Sequence, residues 1–80
     1  MALITKNNIK RLDKERNSVH DPVRATYTTF TSDEKKYFQI DTYGSSSREM
    51  KDKISQSIQI DKEMAKELIK LMIKAFDIFD

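Results

Sequence analysis

Eighty residues allow one domain, close to the smallest size at which a hydrophobic core sustains itself. The chain has no cysteine and no metal-ligand cluster to act as a staple, which favours a second copy as the source of further burial. A net charge of +2 is not that of a strongly basic nucleic-acid clamp, and no apolar run approaches the ~20 residues of a membrane span.

Residues 1–20 hold five Lys/Arg against two Asp/Glu, a net +3, while residues 21–80 hold ten against eleven, a net −1. The basic excess therefore sits in the leader and the rest is nearly neutral. Met1-Ala2-Leu3-Ile4 is far too short for a signal peptide, and the lack of cysteine fits a reducing, cytoplasmic setting. Thr5 can cap a short helix through Arg16 on the sparse apolar positions Ile4, Ile9 and Leu12, or residues 1–21 form a basic arm. The pattern leaves both open. His20-Asp21-Pro22 breaks the chain before a domain over 22–80, because Pro22 biases Asp21 away from helix.

Val23 to Phe30 is rich in threonine and aromatic residues and predicts a strand, with Arg24, Thr26 and Thr28 as its polar set. After the polar turn Thr31 to Lys36, Tyr37 to Tyr43 alternates cleanly. Phe38 and Ile40 take one side; Tyr37, Gln39, Asp41 and Tyr43 take the other. Gly44 to Ser47 reads as a loop, Arg48 to Lys51 as a short third strand, and Ile54 to Ile60 as a fourth with Ile54, Ile58 and Ile60 inward. Asp61 then caps a long helix reaching Phe79, whose apolar positions cover about 220° of its surface. The expected fold is α+β, a four-stranded antiparallel sheet followed by one C-terminal helix (ββββα). The surplus apolar arc predicts dimerisation through Leu68, Leu71, Met72, Ala75, Phe76 and Phe79. The alternative cover for that arc is the N-terminal segment folded back.

If the helix covers the Phe38/Ile40/Ile54/Ile58/Ile60 side, the opposite side presents Tyr37, Gln39, Asp41, Tyr43, Ser55, Ser57 and Gln59. Flat aromatic rings beside short hydrogen-bonding groups suit stacking of unpaired bases, with Arg24, Lys35, Lys36, Arg48, Lys51 and Lys53 placed for phosphates. An ordinary solvated sheet face gives the same pattern, and Asp41 at its middle opposes an anion.

Gln39-Ile40-Asp41, a polar loop, Glu49-Met50-Lys51 and Ser57-Ile58-Gln59-Ile60-Asp61-Lys62-Glu63 entering a helix through Leu68 together form a recognisable series. Tyr37 to Phe79 thereby resembles the single-stranded-DNA-binding domains of the positive-cofactor-four transcriptional coactivator family, related in fold to the Whirly proteins. The resemblance implies a dimer through the helices, single-stranded nucleic acid on the sheet, Lys51 and Lys53 flanking the groove, and no chemistry. Gln56-Ser57 stands where that family has a basic residue and glycine, and Ala65 where it has an aromatic. Tyr37 to Ser45, Arg48 and Ser55 to Gln59 are also similar to a short bacterial and phage family. Its members are often described as methionyl-tRNA formyltransferases, an enzyme eighty residues cannot hold.

No catalytic signature is present. His20 beside Asp21 has no nucleophile or substrate group identifiable in reach, and no phosphate loop, nucleophile elbow or metal spacing occurs. Ser45 to Ser47 beside Arg48 suits either a phosphate or a plain hairpin tip, and Met50, Met64 and Met72 read as core filler. The sequence therefore predicts a non-enzymatic homodimer, without cofactor or metal, that binds single-stranded nucleic acid. The alternative is a small protein-interaction module of the inhibitor or adaptor kind.

Overall fold

The structure is a computed structural model that describes residues 1–44 and 53–78. It contains β1 (Ala2–Ile4), a 3-10 turn (Lys6–Asn8), β2 (Ala25–Ser32), β3 (Lys35–Tyr43), β4 (Ile54–Asp61) and α1 (Lys62–Phe76). The expected strand at Arg48 to Lys51 lies outside the described residues, as does Phe79. The sheet has the order β1-β4-β3-β2. The α+β class and the single C-terminal helix hold, but the sheet is mixed rather than antiparallel.

The mixture comes from the leader. Ala2, Leu3 and Ile4 pair in parallel with Ile58, Gln59 and Ile60, covering the outer edge of β4. An uncovered edge would leave backbone donors and acceptors unpaired. No helix forms from Thr5 to Arg16; Lys6–Asn8 makes one tight turn, and residues 9–24 carry no regular element. Asn8 Nδ2 donates to Thr5 Oγ1 at 2.9 Å, so the threonine closes a turn instead of starting a helix.

β2 and β3 form a hairpin closed by only two residues, with Ser32 opposite Lys35. Asp33 and Glu34 both adopt positive φ, 51° and 66°. That is the arrangement of a type I′ turn, whose twist matches the flanking strands and which is normally filled by Asn-Gly. Glu34 occupies the position glycine prefers.

β3 and β4 are antiparallel, with Phe38 opposite Ile60, Ile40 opposite Ile58, Gln39 opposite Gln59 and Asp41 opposite Ser57. Opposite residues share a face. One face thus gathers Phe38, Ile40, Ile58 and Ile60, joined from β2 by Tyr27, whose ring stacks on Phe38 at 5.3 Å. The other gathers the polar side chains. A register shift at Thr42/Tyr43 sets Ile54 opposite Tyr43, so Ile54 drops out of the inward series expected for it.

α1 begins where β4 ends. Asp61 is its N-cap, accepting from the Met64 amide at 2.9 Å, a bond worth about 1 kcal/mol. Asp77 takes a left-handed conformation (φ 54°) at the other end, and the Ile78 amide returns to the Ile73 carbonyl at 3.1 Å, the closing bond of a Schellman turn. Met64 is the one fully buried hydrophobic side chain among the described residues. The helix does not lie over the apolar face as expected: Ile40 and Ile58 remain 40 % exposed, and Leu71, Met72, Ile73 and Phe76 face solvent. An open groove of about 920 Å³ separates the hairpin end from the start of α1, with Phe38, Ile60 and Ala65 in its wall.

Relieving the turn tests this description. Glu34→Gly removes a left-handed non-glycine residue at a cost in unfolded-state entropy, leaving a net stabilisation of about 0.5–1 kcal/mol. Urea unfolding monitored by circular dichroism measures it. A loss of stability would mean that the turn is not of this type.

Candidate nucleic-acid interface

The polar face is built by the alternation of β3 read against its two neighbours. Lys35, Tyr37, Gln39, Asp41 and Tyr43 point to it, with Thr26, Thr28 and Phe30 opposite from β2 and Ser57 and Gln59 opposite from β4. Tyr37 and Phe30 stack at 5.4 Å between ring centroids. At the far end the Arg24 guanidinium lies 4.3 Å above the Tyr43 ring, whose hydroxyl is 3.0 Å from Thr26 Oγ1. Tyr37 and Tyr43 stand six residues apart on one strand, about 20 Å. Two aromatic platforms thus bracket one strip of sheet.

Between them runs a continuous set of hydrogen bonds. Gln59 Nε2 donates to Gln39 Oε1 at 2.8 Å, and Gln39 Nε2 donates to both oxygens of Asp41, at 3.0 and 3.2 Å. The Ser57 hydroxyl donates to Asp41 Oδ1 from the other side. Asp41 is only 6 % exposed and Ser57 8 %. A buried carboxylate is costly unless donors surround it, and here two side chains supply them. No buried side-chain nitrogen or oxygen among the described residues lacks a partner.

The sequence expectations meet this geometry unevenly. Arg24, Lys35, Tyr37, Gln39 and Tyr43 come together on one face. Lys36 falls on the other face, opposite Thr31, and lines the groove beside α1. Lys53 is exposed just before β4, and Arg48 and Lys51 lie outside the described residues. Asp41 and Ser57, expected as solvated surface, are the buried polar centre of the sheet. Phe30 was not among the expected site residues. Folding the strands about a two-residue turn at 33–34 pairs it with Tyr37, a signal present in the sequence but hidden by the longer turn expected there.

No group of three or more His, Cys, Asp or Glu among the described residues is placed to hold a metal ion. No helix among them is long and apolar enough to cross a membrane. His20 is exposed within residues 9–24.

Asp41→Ala strips the acceptor from Gln39 and Ser57 together and should lower unfolding free energy by about 2–3 kcal/mol, whereas Ser57→Ala removes one of three bonds and should cost about 1 kcal/mol. Equal effects in urea unfolding would show that the carboxylate does not organise this face. No protein-family model, curated protein or solved structure matches the chain, so the case for function stands on these residues and their arrangement.

Proposed function

We propose that the chain is a non-enzymatic homodimer that binds single-stranded nucleic acid on the polar face of its sheet, in a cytoplasmic setting. The observation that carries the reading is the pair of ring platforms, Tyr37 on Phe30 and Tyr43 under Arg24, at the two ends of one hydrogen-bonding strip. Bases stack on such rings regardless of sequence, and Arg24 and Lys35 stand where a backbone phosphate would run. The Gln39 and Gln59 amides lie half-buried along the strip, within reach of base edges.

Unfinished burial supports the dimer. A compact monomer of 9.4 kDa exposes about 5,000 Å², whereas this chain exposes 7758 Å². Its radius of gyration is 15.0 Å, against about 12 Å for a compact chain of this length. Residues 9–24, the bare apolar sheet face and the outer half of α1 all contribute to the excess. An obligate homodimer interface buries about 2,000–5,000 Å² over both partners, within what this surface can supply. Leu71, Met72, Ala75 and Phe76, the last 70 % exposed, are the helix residues such an interface would use.

A second reading, a small protein-interaction module, is favoured by Asp41, whose carboxylate at the middle of the strip repels a polyanion. Its two donors blunt that repulsion without abolishing it.

Fluorescence anisotropy with a labelled single-stranded oligonucleotide separates the two. Affinity should fall steeply with salt and exceed that for duplex. Tyr37→Ala and Tyr43→Ala should each weaken binding about 5- to 150-fold, since one stacked base is worth about 1–3 kcal/mol. Phe76→Glu should lower the solution mass. Unchanged binding by a folded double tyrosine variant would remove the stacking interface. Absence of binding at low salt, with one stoichiometric protein captured after nuclease treatment, would favour the second reading.

A further inference from the structure

Among the described residues β2 ends the sheet, and its outer edge differs from the usual edge strand. Natural edges are guarded by lysine, proline, bulges or shortness. Ala25–Ser32 is eight residues long and exposed throughout, with no charge, no proline and no bulge against β3: Ala-Thr-Tyr-Thr-Thr-Phe-Thr-Ser. Threonine and aromatic residues favour extended structure, so the strand is held ready to pair on its free side.

The outward groups can be assigned. The Tyr43 amide donates to the Arg24 carbonyl at 3.0 Å, so 24·43 is a hydrogen-bonded pair, and with it 26·41, 28·39, 30·37 and 32·35. Thr26, Thr28, Phe30 and Ser32 therefore spend their backbone groups on β3. Ala25, Tyr27, Thr29 and Thr31 turn their N–H and C=O groups away from the sheet.

We propose that this edge pairs with β2 of a second copy, antiparallel about a two-fold axis through Thr28, to form a continuous eight-stranded sheet. Faces match across such a pair only when the paired residue numbers sum to an even value, since a one-residue offset turns apolar against polar. Centring on Thr28 sets Ala25 against Thr31 of the second copy and Tyr27 against Thr29. All the outward groups of both copies are then consumed in one ladder. Centring on Thr29 leaves Ala25 without a partner in the strand. The Thr28 register also brings Thr26 against Phe30 and Tyr27 against Thr29, aromatic on β-branched, which is a favourable cross-strand pairing. No charge enters the ladder, so no like-charge repulsion arises within it. This isologous contact is closed by its own symmetry and uses no part of α1. It is independent of the helix interface, although Thr26 and Phe30 also border the ring platforms of the polar face.

The test places like charges on the two-fold. Thr28 faces its own copy in the second protomer, and its backbone bonds are already made to β3, so Thr28→Lys and Thr28→Glu keep the fold available. Each variant alone should have a lower mass than wild type in sedimentation equilibrium, and an equimolar mixture of the two should regain the wild-type mass. In wild-type protein at associating concentration, the amides of Tyr27 and Thr29 should exchange with deuterium as slowly as those of Thr26 and Phe30. Wild-type mass in both single variants would overturn the proposal, as would fast exchange at Tyr27 and Thr29. Slow exchange at those amides in a protein whose mass is monomeric would also overturn it, because the edge would then be covered from within the chain. A failure of the helix interface reads out separately, as a mass insensitive to Phe76→Glu.

Discussion

The register between β3 and β4 is the constraint from which the other features follow. With Asp41 opposite Ser57 and Ile40 opposite Ile58, one face becomes polar and self-satisfied and the other gathers Phe38, Ile40, Ile58 and Ile60. A slip of one residue would set Asp41 among isoleucines and strip it of both donors, a fault that would cost several kcal/mol. The buried carboxylate therefore works as a register pin. It adds little net stability over an apolar pair, yet it makes every neighbouring alignment much worse.

That register leaves an imbalance. The polar face closes on itself through side-chain hydrogen bonds, while the apolar face stays open, with α1 touching little beyond its own strand and the 3-10 turn. In most small α+β domains the helix lies across the sheet and completes the core. Here the Asp61 cap fixes α1 directly at the end of β4, so that only its first turns approach the sheet near Ile60. The outer half, from Ile69 to Phe76, keeps its hydrophobic residues largely exposed among the described residues. Burial is the main force holding any fold together, and this arrangement leaves much of it undone among the described residues.

Much of this was legible in the residues. Asp61 as a cap, a helix running from it, and clean alternation from Tyr37 to Tyr43 are strong local signals, and each survives as expected. What escaped lay in long-range pairing. Three residues, Ala2 to Ile4, are too few to show a period, and only the need of β4 for an edge partner explains why they form a strand. The hairpin turn is shorter than the residues suggest, because Asp33-Glu34 lacks the glycine that normally marks a type I′ turn. The burial of Asp41 is not legible locally, because alternation reports which face a residue takes and says nothing of what lies beside it. Its burial depends on Ser57, sixteen residues away. The polar face itself was foreseen, and Tyr37, Gln39 and Tyr43 share it, but Lys36 was lost to the other face by the same alternation that placed them.

The amides on the polar face also have a direction. Because a carboxylate only accepts, Gln39 must turn its NH₂ towards Asp41 and its carbonyl towards Gln59, which must then turn its own NH₂ inward. Neither glutamine can flip alone without setting two like groups against each other. The two side chains therefore switch orientation together or not at all, a coupling typical of hydrogen-bond chains. One negative charge at Asp41 fixes what the far end of the strip presents: the outermost Gln59 is left with its carbonyl as the spare acceptor. Neutralising a residue at the centre of the sheet would thereby rewrite the pattern of donors and acceptors at its periphery, without moving a single strand.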